Sequence, residues 1–232
     1  MKTWLLVAAE RREFDGLRKR LTGTAEMRGL DVKFACEGTH KGERWVMIAN
    51  GPGRELASAA VSDAVVREVR LENIVGIIST GYCGALDPRL QVGDIVVADI
   101  VSDETHLSSD RAFARGAVTT QDRVAVRATE KRALHEQTGA IAVDMEADAV
   151  QKRAHELGVR YGCIRVVSDA AEEDMPLDFN RYRNADGNFS RLRIAFAAMA
   201  RPFSVMPALL EFDRRSKQAS LTLGDFLADC RF

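Results

Sequence analysis

The sequence has few cysteines, few prolines and almost no net charge. Its 232 residues include 4 Cys and 5 Pro, and 33 Lys and Arg stand against 34 Asp and Glu, which gives a formal net charge of −1. The cysteines form no CxxC pair and no cluster with histidine, so the sequence predicts neither a disulfide framework nor a metal site. The balanced charge gives no electrostatic footprint for DNA, RNA or an anionic membrane.

Long hydrophobic runs are also missing. The apolar run near the N-terminus ends at Glu10 without a signal-peptide cleavage pattern, so it is predicted to be a buried strand. The tract 194–210 is broken by Arg201, Pro202 and Pro207, which is too short and too interrupted for a membrane span. We therefore expect a cytoplasmic protein with a single domain over 1–232, in which the loop and helical tail at 172–232 pack on the rest.

Short runs rich in β-branched residues alternate with stretches of helical spacing, which predicts an α/β fold. The predicted strands are 3–9, 31–36, 44–49, 74–79, 94–98, 115–119, 140–144 and 161–167, and the predicted helices are 53–70, 125–137 and 146–157. Several strands are apolar at consecutive positions, as in a sheet covered on both faces. A polar loop of about twenty residues follows Asp169 and precedes two amphipathic stretches, 190–200 and 204–231. A loop of this length is typical of a lid or the edge of a substrate site.

Ligands of open α/β sheets bind beyond the carboxyl ends of the strands. Five segments occupy such positions, namely 8–14, 50–54, 79–88, 144–147 and 168–170. Each has an ordinary structural explanation as a turn, a helix cap or a helix-terminal charge. Together they bring carboxylates and glycines to one edge of the sheet, which favours a functional site.

Three of these segments carry a resemblance to a known family. The runs STGYCGALDPRLQVGDIVVAD, AVDMEADAV and RVVSDAAEED resemble the glycine-rich loop, the ribose motif and the catalytic Ser-Asp motif of the nucleoside phosphorylase superfamily. The branch they resemble is that of methylthioadenosine/S-adenosylhomocysteine nucleosidases. The resemblance implies a three-layer α/β/α sandwich with a central mixed sheet, cleavage of the N-glycosidic bond of a purine nucleoside, no cofactor, and a homo-oligomer, a dimer or larger. The run ALHEQTGAIAVDMEA and the tail ARPFSVMPALLEF resemble hopanoid-associated phosphorylases or nucleosidases, which implies a bulky apolar 5′ substituent on the substrate.

The resemblance also implies roles for individual residues. Asp169 would be the general acid at purine N7, Glu146 would bind the ribose hydroxyls, and Met145 would lie against the sugar. Glu13 or Glu10 would activate water, with Glu13 favoured. The remaining residues expected to bind substrate are Asp144, Ser79, Thr80, Gly81, Tyr82 and Ser168, and Asp122 could contact the base.

Two alternatives to a hydrolase stay open. Ser79 stands where phosphorylases of the superfamily carry an arginine, which favours water as the acceptor, but Arg11 and Arg12 could hold phosphate in a phosphorylase. The second alternative is a nucleoside-binding protein without catalysis, although such a protein needs no general acid. A dinucleotide-binding enzyme is excluded, because the segment Gly51-Pro52-Gly53 lacks the third glycine of the fingerprint and Pro52 lacks an amide for phosphate.

Overall fold

A computed structural model describes residues 1–67, 71–98, 108–184 and 186–231 of the protein. Its strands are β1 (Thr3–Ala8), β2 (Thr22–Glu26), β3 (Phe34–His40), β4 (Glu43–Ala49), β5 (Ile74–Ala85), β6 (Ile95–Val97), β7 (Ala114–Arg115), β8 (Val118–Thr120), β9 (Ala142–Asp144) and β10 (Tyr161–Asp169). Its α-helices are α1 (Asp15–Arg18), α2 (Arg54–Arg67), α3 (Ala128–Thr138), α4 (Ala147–Glu156), α5 (Arg191–Met199) and α6 (Val205–Asp229).

The strands form one mixed sheet in the order β2-β3-β4-β1-β5-β10-β6-β7, and β9 joins β5 to β8. The central strands β4, β1, β5 and β10 are parallel, whereas β3 runs antiparallel to β4, β6 to β10 and β9 to β5. All six residues of β1 are buried, as the consecutive apolar pattern predicts for a central strand. The carboxyl ends of β1, β5 and β10 therefore lie along the same edge of the sheet.

Helices cover the sheet on both faces. On one face α2 and α4 pack Val61 and Val150 against Leu5 and Ile48 of the sheet. On the other face α6 contributes Leu223 and Phe226 to the same hydrophobic cluster as Leu6 and Met47. The predicted three-layer α/β/α sandwich with a mixed central sheet is confirmed.

Two glycines let α1 and α6 touch along their backbones. A Cβ on Gly16 or on Gly224 would lie closer than 3.0 Å to backbone atoms of the facing helix, so only glycine allows this crossing. Next to the crossing, the Ser220 hydroxyl donates a hydrogen bond of 2.8 Å to the Arg12 carbonyl. The contact fixes the backbone that follows β1, which carries Glu13.

Several predicted boundaries differ from the structure. The prediction at 31–36 is shifted, since β3 spans Phe34–His40, and the single strand predicted at 115–119 is divided into β7 and β8. The strand β2 was not predicted, because all five of its residues are exposed and its sequence, TGTAE, has no apolar pattern. The last three residues of the predicted helix 53–70 and residue 99 of the quoted motif lie outside the described residues. Within the described part of the chain, the helices are too short or too polar for any of them to cross a membrane.

Candidate active site

Glu13 lies in a short 3₁₀ turn just after β1 and is 3% exposed. Its Oε1 accepts a hydrogen bond of 2.7 Å from the Tyr82 amide, and its Oε2 accepts one of 2.6 Å from the Glu10 amide. Gly81 has φ +130°, and a Cβ there would lie closer than 3.0 Å to Glu13 Oε1. Burial raises the pKa of Glu13, although the two amide hydrogen bonds oppose the shift. Glu13 is thus a buried carboxylate set against the glycine-rich strand β5.

Glu146, just before α4, is the second buried carboxylate, with 5% of its surface exposed. The amide of Gly53, from the turn that enters α2, donates a hydrogen bond of 2.8 Å to its Oε1. Burial, and then repulsion from Asp144, raises the pKa of Glu146 to about 8. The Asn-Gly-Pro-Gly segment is therefore both a turn and the anchor of a site residue.

Arg165, on β10, joins these groups and is fully buried. Its Nη2 donates to Ser79 Oγ at 2.6 Å and to Asp144 Oδ2, and its Nη1 donates to the Thr80 carbonyl at 2.8 Å. The same Nη1 lies 3.8 Å from Glu146 Oε2. The guanidinium is the main counter-charge for the carboxylates around it.

Asp144 braces this network. Its Oδ1 accepts a hydrogen bond of 2.7 Å from the Thr120 hydroxyl, and its Oδ2 accepts one of 2.8 Å from the Ala147 amide in addition to that from Arg165. Its side chain is fully buried, and these protein donors occupy both of its oxygens. What the structure shows for Asp144 is support of Arg165 and of the start of α4, and its direct contact with substrate stays a prediction.

Asp169, at the end of β10, is bound by a buried lysine. Lys131 Nζ, on α3, lies 2.5 Å from Asp169 Oδ2, and the Lys131 side chain is fully buried. The Ser168 hydroxyl donates a hydrogen bond of 2.6 Å to the other oxygen, Oδ1. A Cβ on Gly84 would lie 3.0 Å from Asp169 Oδ2, so the glycine leaves room for the carboxylate. Asp169 is therefore fixed at both oxygens.

Glu10 and the two arginines beside it occupy a more exposed position. Glu10 forms ion pairs with Arg12 at 2.8 Å and with Arg191 at 3.7 Å. Arg12 also stacks over the Tyr82 ring at 5.7 Å, and the Tyr82 hydroxyl donates to the Ser216 carbonyl at 3.0 Å. Arg11 lies over the Phe34 ring and 3.7 Å from Glu26, with more than half of its side chain exposed. The predicted phosphate ligands thus do not converge on one point.

The remaining predicted residues divide into two groups. Thr80 is fully buried, and its hydroxyl has no hydrogen-bond partner among the described residues, so it is suited to a ligand hydroxyl. Met145 is half-buried between Asp144 and Glu146. Asp122 is 85% exposed and pairs with Arg54, which also binds Asp148 at 2.8 Å. The geometry gives Asp122 a surface ion pair.

The predicted lid is anchored beside this site. In the segment that follows β10, Arg183 Nη2 donates to the Pro52 carbonyl at 3.1 Å, and Asn180 exchanges hydrogen bonds of 2.9 and 3.0 Å with the backbone of Val124. A Cβ on Gly51 would meet the side chain of Asn188. The loop therefore lies against the turn that binds Glu146.

The buried carboxylates lie together at one end of the sheet. A surface cavity of about 720 Å³ opens elsewhere, lined by residues such as Leu71, Val75, Leu157 and Arg160, and none of the buried carboxylates lines it. Acid–base chemistry needs titratable groups with shifted pKa values, so we place the site at the carboxyl ends of β1, β5 and β10. Among the described residues, no cluster of His, Cys, Asp and Glu could hold a metal ion.

Sequence reasoning missed two functional side chains. Arg165 lies inside the RVVSD motif, and its position in a buried strand was a usable signal, because a charge there needs a partner. Lys131 gave no comparable signal, since it stands among other charged residues in the helix 125–137. Only the packing of α3 against the end of β10 reveals it.

Comparison with known proteins agrees with this geometry. The family model of the phosphorylase superfamily matches residues 5–112 and 104–200. The chain belongs to the phosphorylase superfamily. It is 27% identical over 195 residues to a 5′-methylthioadenosine/S-adenosylhomocysteine nucleosidase of Marinomonas sp. (strain MWYL1), a match that covers 68% of this chain and 81% of the relative.

Solved structures share the fold over nearly the whole chain. The nucleosidase of the same name from Neisseria meningitidis, in complex with methylthio-immucillin-A, has a TM-score of 0.69 at 21% identity and covers 99% of this chain and 98% of its own. A mutant of futalosine hydrolase of Helicobacter pylori strain 26695 has a TM-score of 0.68 at 15% identity, a match that covers 98% of this chain and 97% of its own. The predicted superfamily is confirmed by the family model.

Proposed function

We propose that the protein is an enzyme that hydrolyses the N-glycosidic bond of an adenine nucleoside that carries a 5′ substituent. The observation that carries the proposal is the set of three buried carboxylates, Glu13, Glu146 and Asp169, which have different partners. They lie at or just beyond the carboxyl ends of β1, β9 and β10, the three strands that pair with β5. The nucleosidase relatives support the adenine nucleoside as substrate.

The three carboxylates fit three tasks in this reaction. Glu13 would accept a proton from water as the water oxygen attacks C1′, and the raised pKa that burial gives it suits a general base. Glu146 would accept hydrogen bonds from the ribose hydroxyls and place negative charge near the developing cation. Asp169 would donate a proton to N7 of adenine, so that the C1′–N9 bond breaks with a neutral leaving group.

Between the two candidates for water activation, the burial favours Glu13. Glu10 has a partly exposed side chain that pairs with Arg12 and Arg191, and its amide donates a hydrogen bond to Glu13. The Glu10 carboxylate is already engaged by two guanidinium groups, which leaves it less available to a water molecule. Glu10 is thus better suited to positioning Glu13.

The same geometry favours water over phosphate as the acceptor. The Ser79 hydroxyl is bound by Arg165 in the interior, and Arg165 itself is engaged by Asp144 and Thr80. Arg12 is paired with Glu10, and Arg11 lies over Phe34. Phosphate requires several converging cationic donors, and these side chains do not supply them.

The experiment that tests the proposal follows the sugar product. The protein is incubated with 5′-methylthioadenosine, S-adenosylhomocysteine and adenosine, with and without phosphate, and the products are separated by chromatography. We expect adenine and the free pentose at a rate independent of phosphate. A ribose 1-phosphate formed only in phosphate would establish the phosphorylase, and binding without any product would establish a nucleoside-binding protein.

We also propose the expected cellular setting and assembly. All four cysteines, Cys36, Cys83, Cys163 and Cys230, are free and buried, which supports a reducing cytoplasm. A homo-oligomer rests on the family resemblance, and light scattering of the purified protein tests it.

A further inference from the structure

Lys131 has no task in the reaction above, yet it occupies an unusual position for a lysine. Its side chain is fully buried, and its Nζ lies 2.5 Å from Asp169 Oδ2, 2.7 Å from the Ala170 carbonyl and 2.9 Å from the Glu173 carbonyl. A protonated lysine has three N–H donors, whereas the neutral amine has two. Three oxygens at hydrogen-bond distance therefore match the ammonium form.

This arrangement is costly for stability alone. Burying an ion pair removes two charges from water, and well-packed apolar residues are often as stable. The two carbonyls complete the shell of the ammonium, so all of its donors are used within the protein and none is left to bind substrate directly. Any effect of Lys131 on the reaction must pass through Asp169.

The proton balance gives the pair a chemical use. An ionised Asp169 holds no proton for the leaving base, but the ammonium in contact with it does. Transfer of one proton from Nζ to Oδ2 yields a neutral amine and a carboxylic acid, and the acid can then protonate N7. After the base leaves, the carboxylate is restored and the amine regains a proton from solvent.

We propose that Lys131 is a positioning residue for Asp169 that supplies the proton which Asp169 passes to the departing base. This inference rests on the proposed hydrolysis of a purine nucleoside. The test compares Lys131→Met, which keeps an unbranched stem without charge, with Lys131→Arg, which keeps the charge but does not release its proton at accessible pH. Lys152→Met is the matched control, since Lys152 is exposed on α4.

We expect Lys131→Met to lower kcat for adenine release by about 10²- to 10⁴-fold, the range that general-acid help spans. The kcat of Lys131→Arg should stay within about tenfold of the kcat of Lys131→Met. In both variants the alkaline limb of the kcat–pH profile should differ from that of the wild type. With 4-nitrophenyl β-ribofuranoside, whose leaving group needs no proton, all variants should match the wild type within about threefold.

Three results would overturn the relay. They are full activity of Lys131→Met, restoration of kcat by Lys131→Arg, and an equal loss on the nitrophenyl substrate, which would mean that Lys131 only shapes the site. If Lys131→Met does not fold, the comparison of Lys131→Arg with the wild type on the two substrates still decides. A wild-type protein that releases no adenine would contradict the proposed function instead.

A separate observation concerns the outer surface of α5. Leu192, Phe196 and Met199 follow one another at helical spacing and are 75%, 66% and 55% exposed, and Phe203, in the turn after the helix, is 97% exposed. The opposite side of α5 packs Ala198 against Leu177 and Val205. We refer to the four exposed residues as the α5 stripe.

Within its own segment of the chain, the stripe is flanked by positive charges only. Arg191, Arg193 and Arg201 lie within 187–210, and this segment contains no Asp or Glu, although the whole chain has a net charge of −1. A short helix with an apolar face and flanking arginines is suited to the interface of an anionic bilayer. A symmetric contact between two copies through the same face would bring like charges together, which disfavours a second copy as the occupant.

We infer that the α5 stripe docks on an anionic lipid surface. Arg191 lies 3.7 Å from Glu10, whose amide binds Glu13, so the docked face would adjoin the segment that carries Glu13. The test is co-sedimentation of the protein with vesicles of phosphatidylglycerol and phosphatidylcholine, or of phosphatidylcholine alone. The variants are Phe196→Ser/Phe203→Ser for the stripe and Arg193→Gln/Arg201→Gln for the charge. Leu71→Ser is the control, because Leu71 is 42% exposed elsewhere.

We expect the wild type and the Leu71 variant to bind the anionic vesicles but not the neutral ones, and to bind less at high salt. Both double variants should bind the anionic vesicles at least tenfold more weakly. Hydrolysis of a water-soluble nucleoside should be unchanged in both double variants. Absence of wild-type binding, or equal binding to neutral vesicles, would overturn the inference. So would a change from dimer to monomer in the Phe196→Ser/Phe203→Ser variant, which would assign the stripe to a contact between copies.

Discussion

Replacing Arg165 by methionine tests whether its charge holds the site together. The change keeps a similar length of apolar side chain but removes the guanidinium that donates to Ser79 Oγ at 2.6 Å, to the Thr80 carbonyl at 2.8 Å and to Asp144. Asp144 would then be a fully buried carboxylate without a counter-charge, and Glu146, 3.8 Å away, would lose its nearest cation.

The expected cost follows from that burial. Removing one partner of a buried ion pair typically costs about 3–5 kcal/mol, because the other charge stays buried. Domains are stable by about 5–15 kcal/mol in total, so Arg165→Met should fold but be severely weakened. With a urea m-value of about 2–3 kcal/mol/M, the unfolding midpoint at neutral pH should fall by about 1–2.5 M.

The pH dependence separates this explanation from a packing defect. A carboxylate left without its cation is relieved when it binds a proton, so the folded variant takes up protons more readily than the wild type. Its deficit should therefore shrink as the pH falls from 8 to 5. A cavity would cost the same at both pH values.

The assay is urea unfolding followed by circular dichroism at pH 8 and pH 5. Arg214→Met is the matched control, since Arg214 forms an exposed ion pair with Glu211 and its removal should leave the midpoint nearly unchanged. An Arg165→Met variant as stable as the wild type at pH 8, or equally destabilised at both pH values, would refute the reasoning.

Four further outcomes are expected. Asp169→Asn should keep the fold but lower kcat for adenine release by about 10²- to 10⁴-fold, and it should also lose stability, because Lys131 stays buried without its counter-charge. A variant that retains a tenth of the wild-type activity would show that Asp169 is not the general acid. In Glu146→Gln, kcat should fall and KM rise. The raised pKa of Glu146 makes the folded wild type lose stability as the pH rises from about 4.5 to about 8. The Gln variant has no such carboxyl group, so its urea midpoint should rise relative to that of the wild type over the same pH range. Midpoints that change in parallel with pH would contradict this. Gly81→Ala should abolish activity, since its Cβ would collide with Glu13, whereas Gly139→Ala, also at positive φ but with open space around it, should cost only about 1 kcal/mol and keep activity. A long-alkyl 5′ derivative of adenosine should exceed adenosine in kcat/KM by more than about a hundredfold, as each buried methylene adds about 0.8 kcal/mol, and equal values would remove the apolar 5′ substituent from the proposal.

The sequence predicted the centre of the sheet better than its margins. The predicted bounds of β1 and β4 nearly match the observed ones, because a parallel strand covered on both faces is apolar at consecutive positions. Strands β5 and β10 run further than predicted, through residues 80–85, where glycines interrupt the apolar pattern, and through residues 168–169. Backbone pairing between the two strands continues there. These extensions carry the site.

Within the site, sequence reasoning could find the carboxylates but not the cations that hold them. Glu146 and Asp169 directly follow strands, where a carboxylate is noticeable. Lys131 lies on α3 beside Glu130 and Arg132, and the helical pattern does not separate a buried lysine from exposed ones. Its partner is 38 positions away at the end of β10, so the pairing depends on tertiary packing alone.

The balance of charge in the site explains why these cations matter. Asp144, Glu146, Asp169 and Glu13 are all buried, and among the described residues the buried cations beside them are Arg165 and Lys131. Each cation is placed against an aspartate, which leaves the two glutamates less fully neutralised and is consistent with the raised pKa of both. An oxocarbenium-like centre at C1′ would supply the missing positive charge between them. The two glutamates would thus stabilise the cationic transition state more than the uncharged substrate, which is the differential stabilisation that catalysis requires.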